Sequence, residues 1–162
     1  MSAHSAKAAA QLEAAHAHLP WIRVGGYAFA ALAVLKSIRA AVALEKSELG
    51  AVSGGIELVT VLVAVATAVA VLRRGDARWL AVGLAVYLLN VVYAAVLDPK
   101  SIVEGFFLSA GVLGLGGYAL HHYFGLRQNL RQLHAAGFSE SETAPLRRLR
   151  PLGSPQHDRT AP

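Results

Sequence analysis

Cysteine is missing from the 162-residue chain, methionine occurs once, and charged residues make up only 15% of it. The first absence excludes disulfide frameworks, thiolate zinc sites, thiol redox chemistry and cysteine nucleophiles, and it leaves the redox compartment open. The scarcity of charge is more informative. Soluble domains carry about 25% charged and about 45–50% apolar residues, whereas here 55% are hydrophobic and the mean hydropathy is +0.46. Alternating apolar and polar segments of the ~9–11 residues used by membrane barrels are also missing, so the chain reads as helical. No HExxH, GxSxG or P-loop sequence occurs, and the carboxylates are too scattered to assign an acid and base pair. The expectation is a protein that is not an enzyme and holds no cofactor or metal.

What is present is a set of long apolar runs. Residues 51–72 carry Glu57 as their only charge, while 79–97 and 105–126 carry none. Their lengths of 22, 19 and 22 residues lie within the window of about 17–25 that a spanning helix needs. A fourth run, 24–44, has 21 residues but includes Lys36 and Arg39. The predicted fold is therefore an all-α integral membrane four-helix bundle with spans at about 24–44, 51–72, 79–97 and 103–126, the last helix extending to about 136. Residues 1–20 form a polar segment. Within it, 5–19 reads as a short alanine-rich helix lying along the inner surface and stopped or bent at Pro20. It lacks the basic n-region, following h-region and small-residue cleavage site of a signal peptide, so the first span is expected to remain as an anchor. Residues 137–162, rich in Ser, Pro and charge, are expected to be a disordered basic tail.

Basic residues set the orientation. Arg73, Arg74 and Arg78 crowd the link between spans two and three, Arg127 and Arg131 follow span four, and Lys7 and Arg23 precede span one. On the opposite side Lys46 and Lys100 are offset by Glu45, Glu48 and Asp98. Both termini should then be cytoplasmic, with Trp21, Trp79 and Tyr123 at the inner interface. The net charge of +5 and pI near 9.9 are explained by topogenic charge and by attraction of the 146–150 basic cluster to anionic lipid. No nucleic-acid-binding fold or aromatic platform accompanies them.

One polar layer stands out. Lys36 and Arg39 in span one, Glu57 in span two, Asn90 in span three and Glu104 at the mouth of span four share a depth in the outer half of the membrane. An ionised group in hydrocarbon costs about 2.5–3.5 kcal/mol on insertion scales, so these groups should turn toward one another. Helical spacing agrees: Ser53, Glu57, Thr60, Ala64 and Thr67 share one face of span two, and Gly83, Tyr87, Asn90 and Ala94 one face of span three. In span four, Glu104, Gly111, Gly114, Tyr118 and His121 or His122 suggest a third inward stripe. The layer reads either as an ion-paired structural device or as a site for an ion, proton or small polar solute.

Gly50 and Gly54 form a GxxxG pair, and Ala110 and Gly114 a small-xxx-small pair. Both suit close helix packing, within one copy or between copies. Residues 114–119 match the GxGxxA dinucleotide pattern, but they lie inside a span with no preceding strand, and the match is rejected. His16 and His18 could meet His121 or His122 at the inner interface. Two imidazoles can bind a haem iron axially, yet no motif fixes such a pairing, and interface anchoring is the simpler reading.

Residues 86–105 (VYLLNVVYAAVLDPKSIVEG) run from a span through Asp98-Pro99-Lys100-Ser101 to Gly105. This stretch resembles a group of small four-helix bacterial inner-membrane proteins, of unassigned activity, with an Asp-Pro-x-Ser/Thr turn before a final span with a basic end. Here the final span carries no lysine after Gly105. The resemblance covers roughly the second half of the chain and implies architecture and a bacterial source. The combined expectation is an inner-membrane scaffold or accessory subunit that self-associates or joins another membrane protein. The alternative is a transport component built on the charged layer.

Overall fold

Leucine and alanine are strong helix formers, and in the computed structural model each apolar run becomes part of one long helix. The structure describes residues 3–45, 51–97 and 99–149, with side chains described over 8–42, 54–96 and 105–149. Helix α1 is Ala3–Glu45, α2 Ala51–Val69, α3 Trp79–Leu97, α4 Pro99–Ala135 and α5 Glu140–Arg147, and no strand occurs among the described residues. A π-helical turn, Ala70–Arg74, ends α2 and is capped by Gly75 at φ 70°, whose N–H donates to the Ala70 carbonyl. Pro99 opens α4 at the position where a missing N–H costs nothing.

Three segments are long and apolar enough to cross a membrane: Ala8–Val42, Gly54–Arg74 and Trp79–Val96. The fourth expected span, 103–126, lies within α4 but does not join them among the described residues. Glycines and the His121-His122 pair dilute its apolar character.

Helix α1 packs on α2 and α4, and α3 packs on the same two. Neighbours run antiparallel. Gln11 meets Gln132 while His18 meets His122, and Lys36 meets Glu57 while Gly26 lies against Val71 and Leu72. The buried face of α1 is Ala15, Leu19, Ile22, Phe29, Leu32, Ala33 and Lys36, and that of α4 is Val112, Ala119, Leu126, Leu130 and Leu133. Both follow the three-and-four spacing of one helix face. Outside, the pattern is reversed from that of a soluble protein. Leu58, Val59, Leu62, Val82, Leu89, Val92 and Phe107 are exposed, whereas Thr60, Thr67 and Asn90 are buried.

Two expectations need correction. The N-terminal helix does not stop at Pro20 and is not a separate interfacial piece: α1 continues through Pro20 for 43 residues. An interior proline removes a backbone bond and costs about 3 kcal/mol. Here Ala15, Leu19 and Ile22, on both sides of it, are buried in the core shared with α4, which offsets that cost. Nor is the described part of the expected tail disordered: α5 occupies Glu140–Arg147, while residues 150–162 lie outside the described residues. Ser139 caps α5 by accepting from the Glu142 N–H at 3.3 Å, while the Glu142 carboxylate accepts from the Ser139 N–H at 2.7 Å. That backbone bond, with the Ser139 hydroxyl second, holds the Glu142 carboxyl below its ordinary value of 4.5. The cap thus contributes at neutral pH and weakens as pH falls through the lowered value. Leu146 and Leu149 are buried, His134 Nε2 lies 2.8 Å from Thr143 Oγ1, and Arg23 donates to the Leu149 carbonyl at 2.6 Å.

Backbones approach closely where side chains are absent. A Cβ on Gly25 would lie 2.5 Å from the Ala119 Cβ, and one on Gly83 would lie 2.6 Å from Thr67 Oγ1 and 2.9 Å from the Phe29 ring. Gly83→Val should therefore lower stability by about 1–3 kcal/mol, the usual cost of overpacking. Gly117→Ala, which meets nothing within 4 Å, should melt no lower than the parent protein, since alanine is the better helix former. Thermal melting in detergent tests the pair, and equal melting of Gly83→Val and the parent would contradict this packing.

Candidate functional site

The polar layer assembles around Lys36. Its Nζ lies 2.7 Å from Glu57 Oε1 and 2.8 Å from Oε2, and it donates to Asn90 Oδ1 at 3.3 Å. Lys36 reaches this point because it shares the buried face of α1 with Phe29 and Leu32. Glu57 projects from the α2 face that also buries Thr60, Ala64 and Thr67. Asn90 lies one turn beyond Tyr87 on the buried face of α3. Three helices thus meet at one ammonium group. The Lys36 side chain is 9% exposed and that of Glu57 24%, so the pair opens to its surroundings on the carboxylate side only. Chemically the cluster is a closed ion pair with an amide completing it. Both carboxylate oxygens and one carbonyl oxygen are engaged, and the Thr60 hydroxyl is turned back to the Ile56 carbonyl at 2.9 Å.

The remaining members of the expected layer stand apart from it. Arg39 is exposed and takes part in no ion pair among the described residues. The Glu104 side chain lies outside the described residues, and so does Gly50. Of the packing glycines, Gly54 is half-buried. The inward stripe expected in span four is corrected. Ala110, Gly111, Gly114 and Tyr118 are exposed, and the face that packs is Val112, Gly116 and Ala119. Gly116 is needed there, because its Cβ would lie 2.7 Å from Leu84. Residues 110–119 offer small side chains on two faces, and α3 takes the one that receives Leu84.

A second polar cluster joins α1 to α4. His18 Nδ1 and His122 Nδ1 are 2.7 Å apart, one donating and the other accepting. Trp21 stacks on His122 with ring centroids 5.8 Å apart and planes at 18°, and Tyr118 meets the same ring edge-on at 4.5 Å. His18 approaches because position 125 is glycine: a Cβ there would lie 2.8 Å from the imidazole. Of the histidines considered for axial iron ligation, this pair is in direct hydrogen-bond contact. A metal between them would need about 2.0–2.1 Å to each nitrogen, so a linear bridge, about 4 Å across, does not fit without separating the helices. His121 is exposed.

Some contacts left no mark in the sequence reading. Tyr87 Oη lies 3.2 Å from Ser109 Oγ, joining α3 to α4 one turn below Asn90. Arg23 and His134 hold α5, although Arg23 read only as a topogenic charge. Tyr87 did lie on the predicted polar stripe, but Ser109 carried no periodic signal.

Removing one partner of a fully buried ion pair costs about 3–5 kcal/mol. Glu57 keeps a quarter of its side chain exposed, so Glu57→Gln should cost nearer about 2 kcal/mol by the same reasoning. Adding Lys36→Met should recover part of the loss. Thermal melts of the single and double variants in detergent measure the coupling, and strictly additive losses would speak against the contact.

Neither a known protein family, a curated protein nor a solved structure matches this chain.

Proposed function

We propose that the protein is a multi-pass component of a bacterial cytoplasmic membrane, with four spans at 24–44, 51–72, 79–97 and 103–126 forming a four-helix bundle and both termini in the cytoplasm. It serves without catalysis as a scaffold or accessory subunit and associates with a second copy of itself. The membrane part of this reading is supported by three helices of spanning length and by the apolar outer faces of α2 and α3. The Asp98-Pro99 sequence and the basic residues after the last span agree with the bacterial proteins that this chain resembles. Arg73, Arg74, Arg78, Arg127 and Arg131 gather toward one end, as positive-inside placement asks.

The observation that carries the scaffold reading is the outer face of α4. Ala110, Gly111, Gly114 and Gly117 lie exposed on it, and a Cβ on any of the three glycines would meet nothing within 4 Å. In lipid, small residues at this spacing let a second helix approach closely enough for dispersion and Cα–H contacts to hold it. Among the described residues no atom comes within 4 Å of a Cβ position at these three glycines. A transport role is less well supported, because Lys36 occupies both oxygens of Glu57, the carboxylate that a passing cation would need.

Gly114→Leu should abolish self-association while leaving the melting of the monomer unchanged, as read by native mass spectrometry or light scattering in detergent. An unchanged stoichiometry would reject the α4 face. Topology is checked separately with reporter fusions. Gly75 and the C-terminus should report cytoplasm, and Ser47 and Lys100 the exterior. Cytoplasmic reporting at Ser47 with exterior reporting at Lys100 would remove the first span.

A further inference from the structure

The end of the molecule that carries the 75–78 link contains a cavity of about 430 Å³, within the range of about 300–1,000 Å³ typical of small-ligand sites. Six arginines line it: Arg74 from the π-helical turn and Arg78 from the link, Arg127 and Arg131 from α4, and Arg147 and Arg148 from the end of α5. Asp76 is the single carboxylate in the lining, and its Oδ1 accepts from the Arg78 backbone N–H at 3.1 Å. Of these six arginines only Arg147 is in an ion pair with a described residue, the exposed Glu140 at 3.1 Å. The floor is apolar, formed by Leu126, Leu130 and Leu149.

This concentration of charge is built rather than incidental. Without α5 the cavity would lack one wall, and α5 is fixed by the buried Leu146, by the His134–Thr143 contact and by the Arg23 bond to the Leu149 carbonyl. Leu149 itself adopts φ 53°, a left-handed conformation unfavourable for a leucine. Gly75 faces it from the other wall, and a Cβ there would collide with the Arg148 carbonyl. The fold therefore spends conformational strain and a glycine to hold like charges around one space. Repulsion between guanidinium groups is relieved by an anion, and their planar forked donors match phosphate oxygens two at a time.

We propose that this cavity binds a phosphate-bearing anion. Arg74, Arg78, Arg127 and Arg131 take the phosphoryl oxygens, and α5 forms the closing wall. Six arginines against one aspartate favour a ligand with two phosphates over a single phosphodiester. Two sources share that chemistry: the headgroup of a diphosphatidyl lipid and a soluble diphosphate. The lipid source rests on the membrane reading above, under which Trp79, at the start of α3, and Tyr123, in the cavity lining, mark the headgroup level.

The test uses the full chain. In nanodiscs of phosphatidylcholine containing diphosphatidylglycerol, native mass spectrometry should find the anionic lipid retained. Retention should fall at least about tenfold in the Arg127→Gln/Arg131→Gln variant, a loss of about 1.4 kcal/mol. Arg39→Gln, outside the cavity, should not change it. Inorganic pyrophosphate is titrated against the same proteins in delipidated detergent solution and, in excess, against the lipid-loaded nanodiscs. Lipid retention that survives excess pyrophosphate assigns the headgroup. Arginine-dependent pyrophosphate binding that displaces the lipid assigns the soluble source, and either result supports the proposal. Because Arg127 and Arg131 are exposed, their variants should keep the parent melting temperature. Arg127→Lys/Arg131→Lys, which keeps the charge but loses the fork, should fall between parent and glutamine variant. Lipid and pyrophosphate binding that are both absent, or both indifferent to these substitutions, would overturn the proposal. A chain that stays soluble without detergent would refute the membrane reading alone, since the pyrophosphate titration still decides the cavity.

Discussion

A lysine on the buried face of an apolar helix must find a carboxylate, and the contact of Lys36 Nζ with both oxygens of Glu57 sets the rotation of α1 and α2 against each other. Asn90, at 3.3 Å, brings α3 to the same point. Once Lys36 is placed, Phe29, Leu32 and Ile22 are directed inward by helical spacing, and so are Thr60, Ala64 and Thr67 on α2. The outer faces are then left to leucine, valine and phenylalanine. In the membrane proposed here that arrangement is the low-energy one, because hydrocarbon gives no advantage to apolar residues inside and penalises polar ones outside.

In that proposed membrane setting there is no hydrophobic drive between helices, and close packing must do more. Glycines serve it in two ways. Gly25, Gly83 and Gly116 accept Ala119, Phe29 and Leu84 within the copy, each at a distance that a Cβ would violate. Gly111, Gly114 and Gly117 on the opposite side of α4 meet nothing within 4 Å among the described residues, which is why self-association is proposed for that face.

The two ends of the molecule differ in chemistry. At one end, charge is neutralised inside the protein by Lys36 and Glu57. At the other, α1 and α4 run on past the segment where α2 and α3 end, joined by the His18–His122 contact and by Leu126, Leu130 and Leu133. A helix of 43 residues, about 65 Å long at 1.5 Å per residue, is more than twice the ~30 Å of a bilayer core. The excess supplies the platform on which α5 docks, and the six arginines collected there face Asp76 as the single carboxylate of the cavity lining, with Glu140 pairing Arg147 alone.

Much of this was readable without coordinates. Spacing alone aligned Glu57, Thr60, Ala64 and Thr67, and likewise Gly83, Tyr87 and Asn90, because a helix keeps its faces whatever packs on it. The pairing of Lys36 with Glu57 was legible too, since so few charges interrupt the apolar runs. What tertiary structure decided were the choices on which local pattern is silent. Residues 110–119 present small side chains on two faces, and only the approach of Leu84 and Gly25 selects the buried one. Pro20 predicts a helix end, but burial of Ala15, Leu19 and Ile22 carries α1 through it. The polar tail has too few apolar residues to fold alone, yet Leu146 and Leu149 become buried where Arg23 and His134 supply partners distant in sequence. Periodicity reports the faces of a helix, whereas the neighbour that covers each face is a property of the assembled fold.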